Sequence, residues 1–271
     1  MGSQLKFGTF VMRTRLALLL ASAIVSCAAH QPITKAMIGR DTIADCTTSL
    51  YFAPAQKIQS VMLIHGILGS PWNMKYYADL FSDEGVTVNN WGYASRDKRI
   101  LEHAKDLVIE LQRMAKTKPG HPINFVAHSM GGLVLRGAIN HPKCPFEAKI
   151  GRTVLLAPPN QGASWGKFLH SFPFLRVFTR EKADTELMTA ENFEYLGQFP
   201  PTMDVLVIAG DWNFNPVIKG ENDGTVAVKE TFLSTPHLHS IVNTGHKTIL
   251  INQEALQLTE NFIKNGKSCY F

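Results

Sequence analysis

Residues 125–135 read Phe-Val-Ala-His-Ser-Met-Gly-Gly-Leu-Val-Leu, which places Ser129 between two apolar runs. The first run predicts a buried strand and the second predicts a helix. A serine hydroxyl becomes a nucleophile only when it projects from a tight strand-to-helix turn towards a base, and the crowded turn requires small neighbouring residues. Ala127 stands where glycine is usual, which predicts that its φ is not positive. The alternative interpretation is that Ser129 only caps a helix.

The patterns on both sides of this turn alternate between strand and helix. Short apolar runs predict strands at residues 60–64, 86–91, 123–127, 153–157, 205–209 and 238–242. Apolar residues at helical spacing predict helices that begin at Ser70, at Ile100 and near Thr248, and that end before Gly85, before Pro119 and near Lys264. Such alternation predicts one α/β domain with a mainly parallel central sheet flanked by helices.

A reaction at Ser129 also needs hydrogen-bond donors for the oxyanion that forms. Because the turn opens a helix, the N–H of Met130 should point into the space in front of the serine. The Gly-rich loop His65-Gly-Ile-Leu-Gly69 directly follows an earlier strand. Glycines allow such a loop to turn a backbone N–H into the site, and we expect that of Ile67 to serve as the second donor.

The base and its acid should follow the serine in the order Ser, Asp or Glu, His, on loops at the ends of later strands. His246 lies between the last predicted strand and the last helix, and it is the predicted base. Asp223 is the favoured acid, because Gly-Thr-Val follows it and can turn its carboxylate back to the imidazole. Asp211, at the end of the preceding strand, is the rival. His237 and His239 are more typical of structural or surface residues.

Five motifs together resemble the lipase and esterase branch of the α/β-hydrolases, particularly bacterial proteins similar to triacylglycerol lipases and GPI inositol deacylases. They are Leu63-Ile-His-Gly66, Ala127-His-Ser-Met-Gly-Gly132, Leu156-Ala-Pro-Pro-Asn-Gln-Gly162, Asn222-Asp-Gly-Thr-Val226 and Thr244-Gly-His-Lys247. The likeness covers roughly residues 58–266. It implies that Ser129 is the nucleophile, Asp223 the acid and His246 the base. This chemistry requires no metal and no cofactor.

A stretch near residues 162–202 interrupts the alternating pattern. Trp165, Phe168, Leu169 and Phe172 repeat there at helical spacing, which is typical either of ordinary core or of a small helical cap that binds acyl chains. Residues expected to line a substrate pocket are His65, Gly66, Trp165, Phe168 and Phe172. The predicted divisions of the chain are a signal at 1–26, an N-terminal segment at 27–57 and the hydrolase domain at 58–271.

The N-terminus predicts an export signal, because basic residues precede an apolar run of ten, which is shorter than the roughly 20 residues that span a bilayer. Ile24-Val-Ser-Cys27 resembles the bacterial lipobox, whose cysteine becomes diacylated. The alternative is a plain signal peptide cut near Ala28 or Ala29, and Met12 is an alternative start. We therefore expect an exported protein, lipid-anchored through Cys27 in the outer membrane or cell envelope, or else periplasmic or secreted.

The net charge of +5 does not indicate nucleic-acid binding. Lys6, Arg13 and Arg15 lie in the predicted signal, which contains no acidic residue, so the rest of the chain carries about +2. Its basic residues are scattered among acids, without the basic runs that follow a phosphate backbone. The remaining cysteines, Cys46, Cys144 and Cys269, contain no C-x-x-C pair. A Cys46–Cys269 disulfide and three free thiols are both compatible with the sequence.

The sequence thus predicts a serine hydrolase that cleaves carboxylic esters, with lipid or other hydrophobic acyl esters as the expected substrates. An acyltransferase that uses the same acyl-enzyme is an alternative. A catalytically inactive hydrolase fold that acts as a binding module is another.

Overall fold

The computed structural model describes residues 36–38, 42–44, 57–82, 85–162, 164, 166, 182–212 and 215–266. The predicted signal, Cys27, the Cys46–Cys269 pair and the predicted pocket residues Trp165, Phe168 and Phe172 lie outside these residues. The proposed lipidation, disulfide and division at residue 58 therefore stay predictions. In the described part of the chain, no helix is both long enough and apolar enough to cross a membrane.

The described residues form one eight-stranded sheet with the order β2-β1-β8-β7-β6-β5-β3-β4. The strands are β1 (Ala36–Ile38), β2 (Thr42–Ala44), β3 (Ser60–Ile64), β4 (Thr87–Trp91), β5 (Ile123–His128), β6 (Thr153–Leu156), β7 (Val205–Gly210) and β8 (Leu238–Val242). Strands β3 to β8 are mutually parallel, which confirms the predicted α/β architecture. Parallel strands end at the same edge of a sheet, so their following loops meet there.

Alternation along the central strands divides the core into two layers. Met62 and Ile64 belong to one apolar cluster, whereas Val61 and Leu63 belong to the other. Successive side chains of a strand point to opposite faces, so a strand with both faces covered reads as one continuous apolar run. This is why short apolar runs predicted these strands.

Helices cover both faces of the sheet. They are α1 (Lys75–Leu80), α2 (Ile100–Thr117), α3 (Met130–Ile139), α4 (Ala183–Thr189) and α5 (Gln253–Asn265), with single 3₁₀ turns at Pro71–Met74, Phe146–Lys149, Glu194–Leu196, Val228–Glu230 and Thr248–Leu250. Leu107 of α2 and Leu133 of α3 pack into one core layer, and Tyr77 of α1 and Phe262 of α5 pack into the other. The predicted helix after Ser70 is split, with a 3₁₀ turn followed by α1.

Strands β1 and β2 were not predicted, and they extend the sheet beyond the segment assigned to the hydrolase domain. β1 pairs antiparallel with β8, with Met37 opposite His239, and it pairs antiparallel with β2. Strands of three residues are too short to show an alternating pattern. Within β8, β1 pairs only with Leu238 and His239, at the start of that strand, and so lies away from the end of β8 that leads into the His246 loop.

Candidate active site

Ser129 occupies a strained turn between β5 and α3, with φ 53° and ψ −126°. A non-glycine residue in such a conformation costs about 1 to 3 kcal/mol, which the surrounding structure must offset. The N–H of Ser129 donates to the carbonyl of Leu156 at 2.8 Å. A Cβ on Gly131 would lie only 2.6 Å from the Ile64 carbonyl oxygen, so this position admits no side chain. Ala127 is not among the residues with positive φ, as the sequence predicted.

The loops that follow β7 and β8 bring an aspartate and a histidine to this serine. His246 Nε2 lies 3.0 Å from Ser129 Oγ, and His246 Nδ1 lies 2.7 Å from Asp223 Oδ2. Since a carboxylate only accepts hydrogen bonds, Nδ1 carries the proton and leaves Nε2 able to accept one from the serine hydroxyl. The side chain of Asp223 is 1% exposed and that of His246 is 13% exposed. The three residues thus form a hydrogen-bonded triad in which the carboxylate is fully buried and the imidazole is partly exposed.

Backbone hydrogen bonds hold the carboxylate of Asp223 in this position. Its Oδ1 accepts from the N–H groups of Thr225 at 2.9 Å and Val226 at 2.7 Å, while its own carbonyl accepts from the N–H of His246 at 2.9 Å. The turn predicted after Asp223 therefore orients its carboxylate towards His246.

Asp211, the rival acid, lies elsewhere. One of its oxygens accepts from Asn243 Nδ2 at 3.1 Å at the protein surface. The structure therefore places Asp223, and not Asp211, against the imidazole of His246.

His128 contributes a contact that the sequence did not suggest. Its Nε2 donates to the carbonyl of His246 at 2.9 Å, and the two rings lie 5.0 Å apart. Burial, followed by the charge of His246, lowers the pKa of His128 to about 3, so its ring is neutral. His128 thereby ties the loop carrying His246 to the residue adjoining Ser129.

The loop at residues 65–69 lies against the serine, as its glycines predicted. A Cβ on Gly66 would come within 2.9 Å of the Ser129 Cβ, so Gly66 backbone borders the space in front of the hydroxyl. Among the described residues, the N–H groups of Ile67 and Met130 donate to no acceptor. The N–H of Met130 belongs to the first turn of α3, where intrahelical partners are absent. Both groups remain available to bind an oxyanion.

His65 does not line a pocket, in contrast to the prediction. Its side chain is buried, and the ring stacks on Tyr93 with centroids 4.4 Å apart. Nδ1 donates to the carbonyl of Gly66 at 2.8 Å. Burial lowers the pKa of His65, which favours the neutral ring. The residue therefore supports the loop from behind rather than contacting a substrate.

Large apolar side chains are exposed on the segments that follow β3 and β7. Leu68 is 71% exposed, Trp72 is 78% exposed and Trp212 is 57% exposed. A Cβ on Gly245 would lie 2.9 Å from Trp212, which places this ring beside the loop that carries His246. Apolar surface rimmed by polar groups is typical of binding sites.

His237 and His239 lie in a separate buried cluster around Phe232. The His239 ring stacks on Phe232 at 4.1 Å, and its Nε2 is 2.8 Å from Thr231 Oγ1. His237 Nδ1 donates to the carbonyl of Thr235 at 2.7 Å. These contacts are structural. Among the residues that the structure describes, no group of three or more His, Cys, Asp or Glu side chains is arranged to hold a metal ion.

The buried histidines predict acid sensitivity of the fold. Burial lowers the pKa of His128 and of His239 to about 3, whereas both titrate near 6.5 in an unfolded chain. As pH falls below about 6.5, the unfolded state gains protons that the folded state does not accept, so stability falls until the folded pKa is reached. Protonation of each of these two histidines in the unfolded state should lower the free energy of unfolding by about 2 kcal/mol as the pH falls from 7 to 5.

Urea unfolding at pH 7, 6 and 5 measures this loss. A free energy of unfolding that stays constant from pH 7 to pH 5 would contradict the prediction.

Comparison with known proteins agrees with this architecture. The sequence matches the alpha/beta hydrolase family over residues 61–254. Similar folds include the mature lipase BlEst2 of Bacillus licheniformis, which is 19% identical with a TM-score of 0.59 and coverage of 79% of this chain and 92% of that chain. The lin2722 product of Listeria innocua is 18% identical, with a TM-score of 0.54 and coverage of 76% and 94%. The Pyrococcus furiosus esterase PF2001 is 16% identical, with a TM-score of 0.53 and coverage of 79% and 84%.

No curated protein sequence matches the chain. The family match covers more than half of the chain and includes Ser129, Asp223 and His246. The chain belongs to the alpha/beta hydrolase family.

Proposed function

We propose that this protein is a serine hydrolase that cleaves carboxylic esters through an acyl-enzyme on Ser129. The observation that carries the proposal is the continuous relay from Ser129 Oγ to His246 at 3.0 Å and from His246 to Asp223 at 2.7 Å. A nucleophile, a base and a group that orients the base are thereby within hydrogen-bond reach of one another. A serine that only capped a helix would not require the two converging loops.

The geometry gives each group a step in the reaction. Ser129 Oγ attacks the ester carbonyl while His246 Nε2 accepts its proton, and the N–H groups of Met130 and Ile67 bind the resulting oxyanion. His246 then returns the proton to the leaving alcohol, which departs as the acyl-enzyme forms. A water molecule, deprotonated by the same imidazole, attacks the acyl group, and His246 returns that proton to Ser129 Oγ as the bond to the acyl group breaks and the acid leaves. Asp223 stabilises the imidazolium in both halves, and no step requires a metal or cofactor.

A hydrophobic acyl ester suits the surroundings of the relay. Leu68 adjoins the second proposed oxyanion donor, and Trp212 lies beside the loop that carries His246, and both are exposed. A long acyl chain would cover such surface and gain about 0.8 kcal/mol for each buried CH₂. Neighbours with this fold include proteins described as a lipase and an esterase, which supports ester hydrolysis as the reaction.

Hydrolysis of p-nitrophenyl esters of increasing acyl length tests the proposal, with a phospholipid and a triglyceride alongside. We expect kcat/KM to rise by about tenfold or more from acetate to octanoate, because each added methylene buries apolar surface. EDTA should leave the rate unchanged. A fluorophosphonate probe should label Ser129 in the same preparation.

The outcomes separate the parts of this proposal. Labelling of Ser129 together with a preference for acetate would support a serine hydrolase but contradict hydrophobic acyl esters as its substrates. Absence of both labelling and turnover in a folded preparation would instead favour an inactive binding module.

A further inference from the structure

The loop that follows β4, residues 92–99, makes two hydrogen bonds to the loop that carries the proposed oxyanion donor Ile67. Ser95 Oγ accepts from the N–H of Leu68 at 3.0 Å, and Ser95 is 4% exposed. Tyr93 Oη donates to the carbonyl of His65 at 2.8 Å. These two contacts join segments that lie almost 30 residues apart in the sequence.

The contacts fix the peptide units on either side of the one that carries the Ile67 N–H. Tyr93 holds the carbonyl of His65, in the preceding unit, and Ser95 holds the N–H of Leu68, in the following unit. The unit between them consists of the Gly66 carbonyl and the Ile67 N–H. His65 Nδ1 donates to this carbonyl at 2.8 Å, and the N–H of Gly69 donates to it at 3.1 Å. In a planar trans peptide the carbonyl and the N–H point in opposite directions, so fixing the carbonyl also aims the N–H.

The local backbone conformation needs this support. Leu68 has φ 58°, in the left-handed region that residues other than glycine occupy at a cost of about 1 kcal/mol or more. The hydrogen bond that its N–H donates to the buried Ser95 hydroxyl offsets that cost. Without it, the loop could relax to an unstrained conformation and rotate the peptide units around Ile67.

The 92–99 loop is itself anchored, so it can act as a rigid support. Arg96 Nε and Nη2 donate to Asp184 Oδ2 of α4 at 3.1 and 2.9 Å, and the Asp184 side chain is only 6% exposed. The N–H of Ile100, at the start of α2, donates to Glu186 Oε2 at 2.9 Å. On its other side, the Tyr93 ring lies between those of Trp91 and His65, with centroids 4.4 Å apart in each pair.

We propose that Ser95 and Tyr93 are positioning residues that aim the Ile67 N–H at the oxyanion formed on Ser129. The proposal rests on the function proposed above. It predicts a loss in transition-state stabilisation with little change in substrate binding, because the ground-state ester depends less on these donors than the oxyanion does.

The test is steady-state kinetics of Ser95→Ala, Ser95→Thr and Tyr93→Phe. Ser95→Ala should lower kcat by about tenfold or more with KM within about twofold, since small misplacement of a catalytic group is costly. The rate at which a fluorophosphonate labels Ser129 should fall in parallel, because its phosphoryl oxygen needs the same donors. Ser95→Thr keeps the hydroxyl and should recover most of the rate. Tyr93→Phe keeps the ring stack and should lower kcat in the same way.

Ser60→Ala is the matched control, because Ser60 is also buried but lies at the opposite end of β3 from the site. Folded Ser95→Ala and Tyr93→Phe proteins with wild-type kcat would overturn the inference while leaving the hydrolase intact. If Ser95→Ala does not fold, Tyr93→Phe decides the matter by the same criterion. Wild-type protein that neither turns over esters nor labels at Ser129 would overturn the proposed function, and this inference with it.

Discussion

Replacement of Ser129 or His246 by alanine should each lower kcat for an ester substrate by about 10⁶-fold. The serine supplies the attacking oxygen, and the histidine is the only base within reach of its proton among the described residues, at 3.0 Å. Because the two act in one proton transfer, the double variant should be no slower than either single variant. Residual turnover would then come from the Met130 and Ile67 N–H groups and from substrate binding.

Purified protein, checked for folding by circular dichroism and freed of contaminating hydrolases, is required for this measurement. Ser129→Ala should also abolish fluorophosphonate labelling, and His246→Ala should slow it strongly. Ser60→Ala provides a buried serine outside the site, and its kinetics should match those of the wild type. Retention of more than a tenth of the esterase activity by Ser129→Ala would mean that another residue is the nucleophile.

The parts of this site that could be predicted from sequence are those with local causes. The turn at Ser129 needs small neighbours because the Ile64 carbonyl lies where a side chain of residue 131 would be. The order of the serine, the aspartate and the histidine follows from loops that leave the same edge of a parallel sheet. Asp223 could be favoured because the residues after it form the turn that binds its carboxylate.

The supporting residues could not be predicted, because their roles depend on contacts between distant segments. His128 contacts the carbonyl of His246, which is 118 residues away in the sequence, and Ser95 contacts Leu68. Nothing in the local pattern of either residue indicates its partner. His65 is among the residues that the sequence predicts in the pocket, whereas the stack on Tyr93 turns its ring into the interior. Strands β1 and β2 were missed since pairing across the sheet edge, rather than periodicity, creates them.

Asp223→Asn should lower kcat by about 10⁴-fold, and Asp211→Asn should leave it within a few fold. The asparagine oxygen can still accept from the N–H groups of Thr225 and Val226, so the loop should keep its shape. Its amide nitrogen would then face His246 Nδ1 and donate to it. That contact favours the tautomer with the proton on Nε2, which cannot accept a proton from Ser129.

Parallel kinetics of the two variants decide which aspartate serves His246. Asp211 is the matched control because it also follows β7, yet its carboxylate accepts a hydrogen bond from Asn243 at the surface. The free energy of unfolding of both variants should be measured alongside, so that a loss of folded protein is not mistaken for a loss of catalysis. A large loss in Asp211→Asn with near-normal turnover in Asp223→Asn would reassign the acid. Asp223 is buried and accepts a hydrogen bond from His246 Nδ1 at 2.7 Å, whereas Asp211 accepts one from Asn243. We therefore expect only the Asp223 variant to lose turnover.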